Sequence, residues 1–372
     1  MAEHVITEKF LKALERYFAG EVNTRDAAKE ADLSGPNKFL EILKEAYRQN
    51  YIIIRSPIDE LLCNRFRQWV GLASNVAPYI LKSNPDDRTF SLKAAETFMI
   101  YLRRLLLNDK IEDVTIGVVS GSSTASLVEA LVSSSVWEEV IGTEEEKNIR
   151  NKTINICALN ANPVKGWELQ ADANIAVFRL AVLLKQKLID INVPEEKNRK
   201  NTVEPMGITN SSLVIQDPSK SKKDISPIDQ ELLIITDPKR LDGKKDSSKL
   251  GIIITGIGST EDSIFTQVMK KEGIVVPKEV VGDVAYAPVD KNGRELSLTK
   301  DGTSYSVYSA IRLVTLKELV NSGSVVLLVA RNSRRGKPTN KTQAIRAAIR
   351  GKYVNVICTD EETALEVMKE PA

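Results

Sequence analysis

The sequence predicts an α/β protein in two parts, an all-α module at the N-terminus and a larger unit built on a parallel sheet. Three observations carry that expectation. Helical apolar stripes fill residues 7–50. Apolar runs alternate with helical stretches from residue 112 onward. Several of those runs end in loops of small and hydroxyl-bearing residues. Strands buried on both faces read as near-continuous apolar runs, and their alternation with helices is the pattern of a parallel sheet. A length of 372 residues accommodates one large domain or two to three smaller ones. The expected division is 1–56 and 57–372.

The first helix runs from Glu8 to Phe18, with Phe10, Leu11, Leu14 and Phe18 on an apolar stripe and Gly20 ending it. Thr24 is placed to cap the second, Arg25 to Ala31. After the turn Asp32-Leu33, Ser34 is the expected cap of a third helix, and Pro36 suits its first turn. Tyr51 to Ile54 then reads as a short strand. Three short helices, a tight turn and a strand suggest a winged helix-turn-helix, with a small helical oligomerisation module as the alternative. Residues 1–55 carry nine Lys/Arg and nine Asp/Glu. Their net charge is zero, so they show none of the basic excess that drives binding to nucleic acid.

Residues 58–107 read as mainly helical, broken near Ser83-Asn84-Pro85, with an amphipathic stretch from Leu92 to Leu107. Strands are expected at Val114–Val119, Ile154–Ala158, Ile252–Ile254, Val325–Val329 and Val354–Ile357, and helices at Ala125–Ser133, Ala171–Lys187, Thr342–Gly351 and Glu361–Lys369. Residues 192–250, rich in Lys, Asp, Ser and Pro, read as a lid with little structure or a partly disordered segment.

Ligands of parallel α/β sheets bind beyond the carboxyl ends of the strands. Four loops stand there. Ser120-Gly121-Ser122-Ser123-Thr124 offers hydroxyls and the free N–H groups of a helix start, an anion cradle or simply a turn of small residues. Gly256-Ile257-Gly258-Ser259-Thr260 is the second. Val281-Gly282-Asp283-Val284 is the third, followed by a hairpin-like turn at Asp290–Arg294. The fourth lies in residues 331–352, which hold eight basic residues and no acidic one, either a cationic loop facing a ligand or a solvated face.

Several function classes are disfavoured. Histidine occurs once, at His4, so triads and other sites needing a core imidazole are excluded. Cys63, Cys157 and Cys358 are far apart and lie among apolar residues, so buried reduced thiols are expected, with no metal and no cofactor. No apolar run approaches the roughly 18 residues of a membrane span. The N-terminus lacks the pattern of a signal peptide, and a cytoplasmic location follows by default.

The order GVVSGSST, ELQADANIAVFRLA, GIIITGIGST, VVGDVAYAPVDKNGREL and VVLLVAR…KTQAIRAAIRGKYVNVICTDEETALEVM resembles the sugar-binding domain of SorC-type transcriptional regulators. TRDAAKEADLS, LKEAYRQNYI and DELLCNRFRQWVGLASNVAPY resemble that family's N-terminal part and linker helix. The likeness covers most of 24–369, with a gap at 192–250. It implies a winged helix-turn-helix over 1–56 that binds operator DNA. Over 57–372 it implies a Rossmann-like effector domain, akin to sugar-phosphate isomerases and CoA transferases, which assembles into homodimers or homotetramers. The implied ligand is a phosphorylated sugar, and no catalysis is implied. Carried over residue by residue, Gly121, Ser122, Ser123 and Thr124 fall on the phosphate loop and Gln170 on a polar effector contact. Asp283 falls on an acidic position facing sugar hydroxyls, and Lys341 on the lysine that reaches the phosphate. Gly256 and Gly258 belong to the same site, while Thr24, Arg25, Ser34, Asn37 and Lys38 would face DNA. Two stretches depart from the family's strings. Ser34–Glu41 is one residue longer and lacks arginines. Ala330-Arg331-Asn332-Ser333-Arg334-Arg335-Gly336 replaces A-G-G. A degenerate member that senses without binding an operator, and a sugar-phosphate isomerase or deaminase on the same fold, are the alternative functions.

Overall fold

The computed structural model describes residues 7–18, 21–48, 57–71, 75–82, 86–108, 110–111, 113–137, 152–160, 172–188, 203–206, 214–216, 250–261, 263–271, 273–300, 303–308, 311–334, 337–338 and 340–371. The strand expected at Tyr51–Ile54 lies outside them. The chain separates into two compact units, Met1–Arg55 and Ser56–Ala372.

The first unit holds α1 (Glu8–Phe18), α2 (Thr24–Glu30) and α3 (Pro36–Arg48). Its core joins Phe10, Ala13 and Leu14 of α1 to Ala27 and Ala28 of α2 and Phe39 of α3. Phe39 packs against Phe10 and Tyr17, with ring centroids 5.2 and 5.6 Å apart. The cap of α2 is Asn23, not Thr24. Asn23 has extended backbone angles and its side chain accepts from the amides of Arg25 and Asp26, whereas Thr24 is already helical. At the other end Asp32 adopts φ 54°, and the amides of Leu33 and Asp32 donate to the carbonyls of Ala28 and Lys29. That pair of hydrogen bonds closes the helix and turns the chain toward α3. The first helical carbonyl of α3 is Gly35's, which receives the amides of Lys38 and Phe39, so Ser34 lies one residue outside the capping position.

The second unit is a seven-stranded parallel sheet in a mixed α/β arrangement. In chain order its strands are β1 (Ala77–Leu81), β2 (Asp113–Val118), β3 (Thr153–Ala158), β4 (Val203–Met206), β6 (Leu250–Thr255), β12 (Val325–Val329) and β15 (Val356–Asp360); across the sheet they run β1-β15-β12-β6-β2-β3-β4. Ile116, Val118, Ile156, Ile252, Ile253, Ile254, Leu327 and Ile357 are all essentially inaccessible, as in a sheet covered on both faces. The long α5 (Asp87–Leu106) buries Phe98, Leu102 and Leu106 against it.

The mainly helical stretch expected from 58 to 107 holds α4 (Glu60–Val70) and α5, but also a strand, β1, that was not expected. β1 pairs in parallel with β15, Ala77 opposite Val356 through Leu81 opposite Asp360. Pro78 cannot donate to a ladder and is tolerated because β1 is an edge strand. Part of the segment 192–250 is also ordered. β4 adds the opposite edge, and β5 (Val214–Gln216) pairs with β11 (Thr303–Tyr308), which in turn pairs with β10 (Leu298–Lys300).

Three further helices complete the βα units: α6 (Ser122–Val132), α7 (Ala173–Leu188) and α9 (Leu313–Asn321), with α8 (Ile264–Lys271) between them in the chain. An antiparallel β7 (Ile257–Ser259), β8 (Gly282–Val284) and β9 (Ala287–Val289) stand beyond the end of β6. β8 and β9 are joined by Ala285-Tyr286, both at positive φ (49° and 70°), a two-residue turn that ordinarily calls for Asn-Gly. The turn expected at Asp290–Arg294 is present: Asp290 Oδ1 accepts from the amides of Asn292 and Arg294, and Val289 bridges Glu295. After β12 come the short β13 (Ser333–Arg334) and β14 (Lys337–Pro338), then α10 (Thr342–Arg350), β15 and α11 (Glu361–Val367). The three cysteines are buried, and among the described residues none sits in a cluster able to hold a metal ion. Burial pushes the Cys157 and Cys358 thiols up to about 12. Among the described residues, no helix is long and apolar enough to cross a membrane.

Candidate functional site

The loops named from the sequence stand at the carboxyl edge of the sheet. The chain leaves β2 through Ser120 and enters α6 at Ser122. Ser120 is a tie rather than a ligand group: its amide donates to Asn160 Oδ1, its hydroxyl donates to the Asn160 carbonyl and accepts from the Ala173 amide. It therefore holds the ends of β2 and β3 and the start of α7 together. Gly121 adopts φ 156°, ψ 153°, a region in which side-chain-bearing residues are rare. No side chain caps α6, so its first-turn amides take no side-chain cap hydrogen bond.

Lys341 sits at the start of α10, which also has no side-chain cap. Asn332 fixes this region. Its Oδ1 accepts from the Lys341 amide, its Nδ2 donates to Thr342 Oγ1, and its own amide donates to Thr363 Oγ1. The end of β12 and the start of α10 are thereby locked side by side.

These elements frame a small cavity of about 30 Å³, open to solvent. Ser123 and Ser126 of α6 line one wall and Lys341 another; Arg331 reaches in from the end of β12, and Asp87, Phe90 and Ser91 from the first turns of α5 complete it. Arg331 is buried, its guanidinium 4.8 Å above the Phe90 ring and paired with Asp87. Hydroxyls, the start of α6 and Lys341 facing one space suit a small anion, while Arg331 is balanced there by Asp87.

Of the residues named from the sequence, Ser123 and Lys341 share this cavity. Gly121 and Ser122 lie in the same turn, and Gly256 stands against Ser123, since a β-carbon added there would lie 3.9 Å from Ser123 Cβ. Thr124 is buried, and its hydroxyl has no hydrogen-bond partner. Gly258 pairs with Asp283 across β7 and β8. Gln170 lies outside the described residues.

Asp283 is 4% exposed. Burial pushes its carboxyl up to about 6, against the opposing pull of the Ser263 hydroxyl, the Tyr286 amide and the charge of Lys341. Tyr286 N donates to Oδ2 at 3.3 Å, while Oδ1 has no partner. The Tyr286 hydroxyl, near Ser120 and Asp172, and Asn160 Nδ2 are likewise buried without partners. Burial and the neighbouring Asp283 charge raise the Tyr286 pKa, keeping the hydroxyl protonated. A carboxylate oxygen, a phenol and an amide left unsatisfied are complementary to a hydroxyl-bearing ligand. Sequence reasoning named Asp283 but missed Tyr286, Asn160, Asn332, Arg331 and the α5 residues. Only the basic run 331–352 carried any signal for them.

In the first unit, Ser34 and Asn37 are exposed, Arg25 is exposed, Thr24 is half-buried, and Lys38 donates to Glu41 at 3.0 Å. Four more cations of this unit are paired: Lys9 with Asp32, Lys12 with Glu8, Arg16 with Glu21 and Glu30, and Lys29 with Asp26.

Residues 235–369 match the family described as "Putative sugar-binding domain". No curated protein matches the chain. Among solved structures, the full-length sorbitol operon regulator SorC from Klebsiella pneumoniae is similar at a TM-score of 0.56 and 16% identity, covering 97% of this chain and 98% of that one. A probable sor operon regulator from Shigella flexneri is similar at 0.53 and 16%, covering 84% and 100%. At such identities the likeness speaks of fold, and its extent takes in the N-terminal helices as well as the parallel sheet. Residues 235–369 are thus similar to that sugar-binding domain family, and the chain has an α/β fold like that of the SorC structure.

Proposed function

We propose that this protein is a cytoplasmic transcription regulator that binds operator DNA through its N-terminal helices and is controlled by a phosphorylated sugar. The observation that carries the reading is the cavity between Ser123, Ser126 and Lys341, where hydroxyls, the uncapped start of α6 and a lysine meet at the carboxyl edge of a parallel sheet. The phosphate takes Ser122–Thr124 and Lys341, and Asp283, Tyr286 and Asn160 take sugar hydroxyls. Gln170 is assigned to the same ligand on resemblance alone. Effector and DNA affinities are then linked reciprocally through a homodimer or homotetramer. Asp283 serves as a hydrogen-bond acceptor and not as a catalytic base.

A panel of sugar phosphates is expected to include one that raises the melting temperature of the full chain, by mass action on the native state. Lys341→Ala is expected to weaken that ligand about ten- to a hundredfold, the scale of one hydrogen bond to a charged group. Absence of any shift across the panel, with folded protein, would reject the reading, and so would an unchanged affinity in Lys341→Ala.

A second reading, a sensor or assembly protein without an operator, draws on the outer face of α3. That face presents Asn37, Leu40, Glu41 and Lys44, and Lys38 is already paired with Glu41. Titration of DNA affinity against salt separates the two. An operator-binding regulator is expected to lose affinity steeply between 50 and 200 mM salt, and Lys38→Glu to flatten that slope by about one or more charges. No measurable affinity at low salt would favour the second reading.

A further inference from the structure

Beyond its ligand-facing start at Lys341, α10 is buried from Ala344 to Ile349 and is gripped on two flanks. One flank meets glycines. A β-carbon on Gly282 of β8 would lie 2.5 Å from Ala344 Cβ, and one on Gly293 would overlap the Ala347 carbonyl. Contacts that close leave no flexible side chain between the two sides to give way. α10, β8 and the turn at Asp290–Arg294 are therefore fitted to move as one body, and that body carries both Lys341 and Asp283.

The other flank meets the segment at the end of α11. The Arg346 side chain, 2% exposed, donates through Nε to the Val367 carbonyl and through Nη2 to that of Glu366, and its Nη1 lies 2.8 Å from Glu370 Oε1. Carbonyls at a helix end have no partner within the helix, and a cation suits that end. Gln343 Nε2 donates to the same Glu370 oxygen at 3.2 Å. Arg350 donates to the Pro371 carbonyl and, at 2.7 Å, to that of Lys291. Gln343, Arg346 and Arg350 stand on one face of α10 and together hold residues 366–371.

A second grip on this segment comes from α4, the first helix after the boundary at Arg55. Trp69 Nε1 donates to the Glu370 carbonyl at 2.7 Å, and its ring packs 5.2 Å from that of Phe66. The grips are unequal. Arg346 makes charge-assisted bonds in a buried place, whereas half-buried Trp69 makes one neutral bond. Charge-assisted bonds are about twice as strong as neutral ones, so the Trp69 tie is the one that opens.

We propose that residues 366–371 form a clasp that relays ligand binding to α4: a ligand that fixes α10 holds the clasp closed on Trp69. The inference rests on the ligand reading of Lys341 and Asp283 given above. Glu370 is a positioning residue, acting through Arg346 and Gln343. The linkage is reciprocal, so opening the clasp weakens the ligand by the factor by which the ligand closes it.

Hydrogen exchange of the full chain, followed in peptides covering α4, α6 and α10, tests the relay. The probes are inorganic phosphate and the sugar phosphate that raises the melting temperature in the panel above. In the unmodified protein the ligand is expected to slow exchange in the last turn of α4 about fivefold or more, the low end of allosteric coupling. Trp69→Phe keeps the ring and removes the donor. It is expected to abolish the slowing in α4 and to retain protection at the starts of α6 and α10. Glu370→Ala is expected to do likewise, and Glu370→Gln to keep the relay, because its amide oxygen still accepts from Arg346. With no ligand added, Trp69→Phe and Glu370→Ala are expected to speed α4 exchange about threefold or more, the scale of one hydrogen bond. Slowing in α4 that survives Trp69→Phe would overturn the inference. So would a ligand that protects α6 and α10 and leaves α4 unchanged, or α4 exchange indifferent to both substitutions. Those results leave the ligand site standing. Absence of protection at α6 and α10 with every probe would instead reject the functional reading, and the relay with it.

Discussion

Gly258→Ala is expected to lower the stability of the C-terminal unit by about 1–3 kcal/mol, as overpacking a well-filled interior does, and to abolish any sugar-phosphate response. The cause is local. A β-carbon on Gly258 would overlap Asp283 Oδ1 and would lie 2.6 Å from Ser263 Cβ. Asp283 is short, buried and fixed by its place in β8, so it cannot swing aside as a long flexible side chain would. Gly256→Ala is the control: its added carbon meets only Ser123 Cβ, at 3.9 Å, an ordinary contact. Thermal denaturation of both variants decides the matter. Asp283→Ala placed on top of Gly258→Ala is expected to restore part of the lost stability, because the carboxylate is one of the two groups the new carbon strikes. A Gly258→Ala protein that melts with the unmodified one, or a double variant with no recovery, would mean that the tight approach of β7 to β8 does not hold in solution.

This prediction could not have been made from the sequence, and the reason is physical. Gly256 and Gly258 are separated by one residue in the same Gly-rich stretch and look alike in it, yet only the fold sets a carboxylate against one of them. The parallel strands were legible because a strand buried on both faces must be apolar throughout, as Ile252–Ile254 and Val325–Val329 are. β1 was not legible, because an edge strand tolerates Pro78 and Tyr79 and so lacks that continuous run. The turn between β8 and β9 was hidden for a different reason. Ala285 and Tyr286 both take positive φ without being glycine or asparagine, and the Asp283 carboxylate receiving the Tyr286 amide helps hold them there. The candidate site divides along the same line. Ser123, Lys341 and Asp283 stand in loops that follow strands or open helices, where sequence patterns mark them. Asp87, Phe90 and Ser91 enter the cavity from the start of a helix distant in sequence, and nothing local distinguishes them from capping and core residues. The capping error in the first unit is smaller in kind. Asn23 and Thr24 are both good capping residues, and backbone angles choose between them.

Asp283→Asn is expected to stabilise the protein at neutral pH and to remove a pH dependence that the unmodified chain shows between about pH 4 and 6. Burial raises the Asp283 carboxyl from 3.8 to about 6. Over that window the native state retains a proton that the unfolded chain has released. Stability therefore falls as pH rises from about 4 to 6 and is level above it, the reverse of the usual paired carboxylate. A displacement of roughly two pH units corresponds to a cost on the order of 3 kcal/mol once the group is ionised. Three neighbours oppose that cost: the Ser263 hydroxyl, the Tyr286 amide and Lys341, and they do not cancel it. An asparagine of the same shape carries no charge to desolvate, so its advantage should be greatest above pH 6 and vanish near pH 4. Denaturant melts of both proteins at a series of pH values supply the comparison, and parallel stability profiles would sink the prediction. The same substitution is expected to weaken sugar-phosphate binding at pH 7.5, because Oδ1, unpartnered within the protein, is the acceptor assigned to a ligand hydroxyl. A carboxylate that costs stability in the free protein and repays it only when a ligand donates to it belongs to a recognition site, where binding is exchanged for stability.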